Sequence, residues 1–106
     1  MEYTIIEIPD MNDSVSRIVL NDTVYHIRFY YNDTKDFWKF SLYNTQDEPI
    51  ILGVKLVPNF PLNIFGGVTK LPYGFFAVIT NLERVGRNDF VNGNAKFIFC
   101  PAEVSE

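Results

Sequence analysis

Hydrophobic and polar positions alternate along most of this chain with the period of two that is typical of β-strands. The clearest case is Thr23–Tyr31, where every second residue from Tyr25 onward is large and apolar. Short runs rich in Asn, Asp, Pro and Gly separate such segments, as expected for turns. The pattern predicts seven strands: Tyr3–Ile8, Val15–Leu20, Thr23–Tyr31, Phe37–Tyr43, Pro49–Val57, Phe75–Thr80 and Ala95–Cys100.

The alternation also predicts which side chains of the fourth strand face the core. We expect Trp38, Phe40 and Leu42 to point inward. Lys39 and Ser41 should then point outward. The third strand likewise has one face for the core, made of four residues: Tyr25, Ile27, Phe29 and Tyr31.

The fifth and sixth strands carry weaker signals. The fifth should place four aliphatic side chains on one face: Ile50, Leu52, Val54 and Leu56. Gly53 lies inside this strand, which suggests a bulge or a close approach of another backbone. The sixth, Phe75–Thr80, is apolar on both faces, so we expect a central strand covered on each side. Between the second and third strands, Asn21-Asp22 is a two-residue hairpin turn.

The fold class predicted by these elements is all-β. No window shows apolar residues at helical spacing for three turns. Of the 106 residues, 47% are hydrophobic and 16% aromatic, which favours packed sheet. The length suits one domain covering residues 1–106. We therefore expect a small antiparallel barrel or sandwich, and the strand pattern leaves both open.

The charge and the N-terminal residues indicate which partners and which cellular compartment to expect. The formal net charge is −4 at pH 7, and the nine Lys and Arg residues form no run. Nucleic-acid binders usually carry a basic patch, so we expect no nucleic-acid partner. No apolar run approaches the roughly 20 residues of a membrane helix. The first residues lack the basic start and apolar core of a signal peptide, so we expect synthesis in a reducing cytoplasm.

Candidate catalytic and metal-binding groups are few. His26 is the single histidine and Cys100 the single cysteine, too few for a structural zinc site or an internal disulfide. No nucleophile or orienting carboxylate lies near His26 in sequence. We interpret His26 as a satisfied or surface strand residue and Cys100 as a small buried hydrophobe. No calcium-loop or phosphate-loop spacing occurs, so we predict no enzyme, no cofactor and no metal site.

Two irregular segments, Pro58–Gly67 and Asn81–Asn94, contain apolar residues with no obvious burial between the strands. Long loops in a compact domain are often functional, and we expect these to contact other subunits. The alternative is that they fold back over the ends of the strands as lids. The predicted contact residues are Phe60, Leu62, Ile64 and Phe65 in the first segment, with Leu82, Val85, Phe90 and Val91 in the second.

A second class of function follows from aromatic residues on the predicted outer faces. Tyr30, Phe37 and Tyr43, if exposed in a row, would form a stacking platform for carbohydrate or another ligand. Core packing accounts for most aromatic residues at strand period, and scattered exposed apolar residues are normal. A soluble binding module is therefore the alternative to a protein that acts through its loops.

The segment Ser16–Asn59 carries an ordered set of short motifs. They are Leu20-Asn21 followed by Tyr25, Tyr31-Asn32, the lone Trp38, Leu42-Tyr43, Pro49-Ile-Ile-Leu-Gly53 and Leu56-Val57-Pro58. This order resembles the small baseplate plug proteins of contractile-tailed bacteriophages. Two positions depart from that pattern: Asp22 stands where a turn glycine is common, and Asp47-Glu48 replaces Asp-Gly before the proline.

The resemblance implies a structural subunit at the distal end of a phage tail. Such a subunit plugs or lines the tail hub through contacts with other baseplate, hub and tube proteins. The implied location is the virion, with synthesis in the bacterial host cytoplasm and no cofactor. The resemblance leaves open the oligomeric state, including self-association, and the identity of the contacting subunits. It also leaves open whether the particle is a phage, a prophage or another injection device.

Overall fold

The computed structural model describes residues 3–58 and 74–101, and the regular structure in them is entirely β. All seven predicted strands are present, with ends shifted by a few residues. No helix in these residues is long and apolar enough to cross a membrane. The strands are β1 Thr4–Ile6, β2 Asp13–Leu20, β3 Thr23–Asn32, β4 Phe37–Tyr43, β5 Pro49–Lys55, β6 Gly74–Thr80 and β7 Ala95–Pro101.

The strands form two antiparallel sheets that pack face to face. One sheet has the order β2-β3-β4-β5 and the other the order β1-β7-β6. No described strand pairs from one sheet to the other, so the arrangement is sandwich-like, not a closed barrel. The all-β prediction is confirmed, and the structure decides between the two architectures that the sequence left open.

The prediction of a central position for Phe75–Thr80 is wrong for the described strands. Among the described strands β6 pairs with β7 alone, apart from a single parallel bridge between its Val78 and Pro58, whereas β7 lies between β1 and β6. The central strand is therefore β7, where four consecutive side chains are buried: Phe97, Ile98, Phe99 and Cys100. An apolar run shows that both faces of a strand are covered, but it does not show how many neighbours the strand has.

Aromatic rings from both sheets form the centre of the core. The ring of Phe97 in β7 lies 5.4 Å from that of Phe29 in β3, at an interplanar angle of 89°. It lies 5.2 Å from Phe40 in β4 and stacks on Phe76 in β6 at 5.5 Å. These separations are within the range of favourable aromatic pairs. Phe97 therefore joins three other strands across the sandwich.

The predicted inward faces of β3 and β4 are confirmed. Tyr25, Ile27 and Phe29 are buried, and Tyr31 packs partly buried at the edge of the core. The inward residues of β4 are all buried: Trp38, Phe40 and Leu42. The β3–β4 register places Phe29 opposite Phe40 and Ile27 opposite Leu42, so the two strands contribute paired side chains to one layer of the core.

A β-bulge in β5 covers Ser41 on the outer side of the sheet. Two residues of β5, Leu52 and Gly53, oppose Ser41, and Gly53 has a φ of 61°. The amide of Gly53 donates a hydrogen bond of 3.0 Å to Ser41 Oγ. The Tyr30 hydroxyl lies 3.4 Å from the same oxygen. Ser41 points outward as expected but is only 2% exposed, while the bulge expected at Gly53 is confirmed.

The same bulge overturns part of the predicted face of β5. Leu52 was expected on one face with the other aliphatic residues of β5, Val54 among them. It is instead 64% exposed, whereas Val54 packs against the core and Ile51 is buried. Each bulge inserts one extra residue, which shifts the alternation of the following side chains to the other face. The register shows two such shifts along the β4–β5 pair.

The predicted hairpin turn between β2 and β3 is confirmed in its backbone. Asn21 and Asp22 have φ values of 51° and 64°, the left-handed conformation required at both central positions of a type I′ turn. Asn and Asp tolerate this conformation better than other residues with a Cβ, but glycine adopts it without steric cost.

We expect Asp22→Gly to raise the free energy of unfolding by about 0.5 kcal/mol, because glycine removes the left-handed strain at this position. The control is Asp33→Gly, since Asp33 lies in the next turn without a positive φ; there, added chain entropy should lower stability. Urea unfolding of the two variants measures both effects. Stabilisation by both changes, or by neither, would count against a strained turn.

Phe97→Ala should lower the free energy of unfolding by about 3–5 kcal/mol, because it empties the site where four strands meet. Leu52→Ala is the control and should change it by less than about 0.5 kcal/mol, since Leu52 is exposed. Thermal and urea denaturation provide the comparison. Similar losses in the two variants would be inconsistent with this core.

Candidate functional site

The structure tests the burial of the predicted contact residues in only one of the two loop segments. Phe60, Leu62, Ile64 and Phe65 lie outside the described residues. In the segment 81–94, Leu82 is 37% exposed and Val91 is 48% exposed. Both side chains are thus available on the surface.

Val85 and Phe90 are more buried than the sequence predicts for apolar residues of this segment. Val85 is 4% exposed and belongs to the core, and Phe90 packs partly buried against it. The ring of Phe90 meets Trp38 edge-on at 6.4 Å. The indole Nε1 of Trp38 donates a hydrogen bond of 3.3 Å to the Gly86 carbonyl oxygen. The segment therefore folds back on one end of the sandwich, as the alternative interpretation predicted, and still exposes Leu82 and Val91.

Asp89 organises the backbone of the segment. One carboxylate oxygen accepts a hydrogen bond of 2.6 Å from the Gly86 amide, and the other lies 3.3 Å from Asn94 Nδ2. The Asp89 carbonyl also accepts from the Ala95 amide at 3.0 Å, where β7 begins. Hydrogen bonds to an ionised group are about twice as strong as neutral ones, so this residue links both halves of the loop.

Two arginines join the segment to loops distant in sequence. Arg84 donates to the Asp36 carboxylate at 2.5 Å and to its carbonyl at 2.7 Å. Asp36 also accepts a hydrogen bond from the Tyr31 hydroxyl, which raises the pKa of Tyr31 because ionisation would break that bond. These contacts fix the segment against the turn between β3 and β4.

Arg87 makes the second connection, to the loop before β2. Its Nε donates to Asn12 Oδ1 at 2.6 Å, and its Nη1 lies 3.0 Å from Asp10 Oδ1 without the alignment of a hydrogen bond. Its guanidinium carbon is 5.4 Å from the centre of the Trp38 ring, a cation–π distance. Leu82 and Val91 are therefore presented by a segment whose position is set by several independent contacts.

A groove of about 400 Å³ borders this segment. It lies between β1 and the end of the segment and is lined by Ile5, Ile8, Val91 and Phe97, among others. Ile5 and Val91 are both exposed. We call Leu82, Val91 and this groove the loop surface; it offers apolar area at one end of the sandwich.

The aromatic residues of the alternative binding face lie on the outer side of the four-stranded sheet, but they do not form a bare row. Tyr30, Phe37 and Tyr43 are all half-buried. The guanidinium carbon of Arg28 lies 4.6 Å from the centre of the Tyr30 ring. The ammonium groups of Lys39 and Lys55 lie 5.5 and 4.8 Å from the centre of Phe37. Cationic side chains occupy the ring faces that a sugar would need, so the arrangement does not support the carbohydrate platform.

Arg28 also forms an ion pair on this outer face. Its Nη2 lies 2.6 Å from Asp13 Oδ2 and its Nε lies 2.9 Å from Asp13 Oδ1. This bidentate contact lowers the pKa of Asp13 and raises that of Arg28, because each charge stabilises the other. Both side chains are partly exposed, so the pair contributes no more than about 1 kcal/mol to stability.

His26 and Cys100 lie in different sheets and are not brought together. His26 Nδ1 is 3.1 Å from Asp47 Oδ1, so the fold supplies a carboxylate from a loop that sequence proximity did not reveal. Cys100 is buried, which confirms its interpretation as a small hydrophobe, and it alternates along β7 with the core-facing Phe99. No group of three or more His, Cys, Asp or Glu side chains in residues 3–58 and 74–101 is placed to hold a metal ion.

Asp89→Ala should open the segment 81–94 without unfolding the sandwich, because it removes both side-chain hydrogen bonds within the loop. Amide hydrogen exchange at Gly86 and Ala95 should report a local loss of about 1.5–3 kcal/mol of protection, the range for a hydrogen bond to a charged group. Asn88→Ala is the control, since Asn88 is exposed and adjacent. Equal exchange rates in the two variants would show that Asp89 does not hold the loop.

Comparison with known proteins agrees with the motif order in the sequence. The family described as "Cyanophage baseplate Pam3 plug gp18" matches residues 2–101. No curated protein matches the chain. The matched range spans both sheets, the segment 81–94 and the loop surface. The chain belongs to this family of phage baseplate plug proteins.

Proposed function

We propose that this protein is a structural subunit of a phage or prophage tail baseplate and acts through protein–protein contacts. The family match over residues 2–101 carries the proposal. In this role the protein plugs or lines the distal hub, and its partners are other baseplate, hub and tube proteins. It resides in the virion tail after synthesis in the host cytoplasm, and it needs no catalytic activity.

The loop surface supports this proposal because it combines exposed apolar groups with a defined backbone. Leu82 and Val91 are exposed on a segment that Arg84, Arg87 and Asp89 hold in place. A rigid apolar patch loses little conformational entropy on binding, which favours a stable subunit contact. Val91 and Ile5 are both exposed and line the same groove, and contiguous apolar area is typical of interaction sites.

The proposed interface also keeps the first loop segment. Its four apolar residues are Phe60, Leu62, Ile64 and Phe65. Val85 is no longer part of it, because its side chain belongs to the core, and Phe90 contributes mainly by anchoring the segment on Trp38. The two segments together give the surface through which the subunit would contact the hub.

Mass spectrometry of purified tail particles is the direct test of the function. We expect this chain to be present at a fixed ratio to tube and hub proteins in particles released after induction. Its absence from well-formed particles would overturn the baseplate assignment. The measurement requires only the particles and does not depend on any variant folding correctly.

Paired substitution Leu82→Asp with Val91→Asp should reduce incorporation of the protein into particles by about tenfold or more, because it puts charge into an apolar contact. Complementation of a phage that lacks the gene gives the readout, with thermal unfolding as the folding check. Tyr3→Asp is the control, since Tyr3 is comparably exposed but lies outside the loop surface. Normal incorporation of the paired variant would exclude the loop surface as an interface.

A further inference from the structure

The fold collects positive charge on one face of an acidic protein. Strands β2 to β5 contain four Lys or Arg residues and a single acidic residue, giving them a formal charge of +3. The remainder of the chain, which includes the turns that join these strands, holds five basic and twelve acidic residues, a formal charge of −7. Five of the acidic residues lie in those turns: Asp22, Asp33, Asp36, Asp47 and Glu48. The sequence shows no basic run because the four cations come from four different strands: Arg17, Arg28, Lys39 and Lys55.

All four cations point away from the core. The register pairs Arg17 with His26 and Lys39 with Tyr30. These positions alternate along their strands with residues that are more deeply buried, such as Trp38 and Phe40 on either side of Lys39. Lys55 is the cross-strand neighbour of Lys39, and Arg28 lies over Tyr30. We call this outer surface, which also carries Phe37, the cationic face.

The cations of this face differ in how their charge is balanced. Arg28 is paired with Asp13. Among the residues the structure describes, no carboxylate forms an ion pair with Arg17, Lys39 or Lys55. The four-stranded sheet therefore leaves three cations uncompensated.

The two lysines form an unfavourable pair in the isolated protein. Lys39 and Lys55 are direct cross-strand neighbours, and like charges in that position are destabilising. Both ammonium groups lie within 5.5 Å of the centre of the Phe37 ring. Their separation is thus no more than about one Debye length at 0.1 M salt, roughly 10 Å, so their repulsion is incompletely screened. A carboxylate placed between them would relieve this repulsion.

We propose that the cationic face receives a carboxylate-bearing segment of a neighbouring subunit, with its acidic side chains between Lys39 and Lys55. This inference rests on the proposed function, because it takes the neighbour from the same particle. Leu52 and Val15 are exposed on the same side of the sheet and supply apolar contact area around the charged centre. A charged centre of this kind selects the partner and orients its approach.

Two other occupants fit the charges less well. A second copy bound face to face would place the uncompensated cations of the two copies against each other, which disfavours binding. A nucleic-acid backbone usually requires many phosphate contacts. The cationic face offers three uncompensated cations in a protein with a net charge of −4.

Zero-length carbodiimide cross-linking of purified tail particles tests the proposal, because this reagent joins an amine only to a carboxylate in contact with it. Mass spectrometry should find Lys39 and Lys55 linked to Asp or Glu of a different protein. Lys35 is the matched control, since it is exposed and has no acidic partner among the described residues. Links from Lys35 alone, links from Lys39 and Lys55 to a second copy, or photocross-links from them to DNA in a parallel irradiated sample would overturn the proposal.

Charge reversal provides the second arm. Lys39→Glu with Lys55→Glu should reduce copies per particle by about tenfold, since like charges across an interface strongly disfavour binding. Lys35→Glu with Thr45→Glu and Gln46→Glu makes the same change in net charge at exposed positions outside both proposed contact surfaces, and it should leave incorporation unchanged. Thermal unfolding of the isolated variants confirms that both fold. Full incorporation of the Lys39→Glu, Lys55→Glu variant would refute docking at the cationic face and leave the proposed baseplate function intact. Absence of the unaltered protein from particles would refute the baseplate function itself.

Discussion

The register between β3 and β4 determines which side chains lie on each face of the four-stranded sheet. It places Phe29 opposite Phe40 on the core side and Tyr30 opposite Lys39 on the outer side. A slip of one residue in this pairing would exchange the two faces, burying charges and exposing aromatic rings. The hydrophobic cost of exposing several large side chains holds the register in place. Both the packed core and the cationic face therefore depend on this one pairing.

Trp38 connects the core to the loop that closes one end of the sandwich. The centre of its ring lies 5.3 Å from that of Tyr31 in β3 and 6.4 Å from that of Phe90 in the segment 81–94. This side chain of β4 therefore contacts both the neighbouring strand and the loop. The ion pair between Arg84 and Asp36 secures the same segment from outside the core. Apolar residues of the loop thus divide between two roles, anchoring the segment and presenting a surface. Val85 and Phe90 anchor the segment on the core, whereas Leu82 and Val91 are exposed.

The two candidate contact surfaces have different physical character. The loop surface is apolar and held rigidly, so its contribution to binding would come from burial of area. The cationic face is polar, and its contribution would come from charge complementarity and would weaken with salt. A subunit with one surface of each kind can bind two chemically distinct neighbours without competition between them. This suits a family whose members are components of a multi-protein baseplate.

Much of the fold was predictable from sequence because it depends on local chemistry. Alternation within Thr23–Tyr31 and Phe37–Tyr43 is a property of each strand alone, and so is the preference of Asn21-Asp22 for a tight turn. The inward residues and the bulge at Gly53 followed from the same local rules. The order of motifs likewise identified the family, because that order is written in the chain itself.

The tertiary structure decided what depends on neighbours distant along the chain. The pairing of β7 with both β1 and β6 made it, and not β6, the central strand of its sheet. The bulge opposite Ser41 turned Leu52 outward, and the folding of the loop onto the core buried Val85. Cations from four strands became one surface only when the strands aligned. The spacing of residues along the chain does not show which strands pair with each other, so these features could be identified only from the assembled sheets.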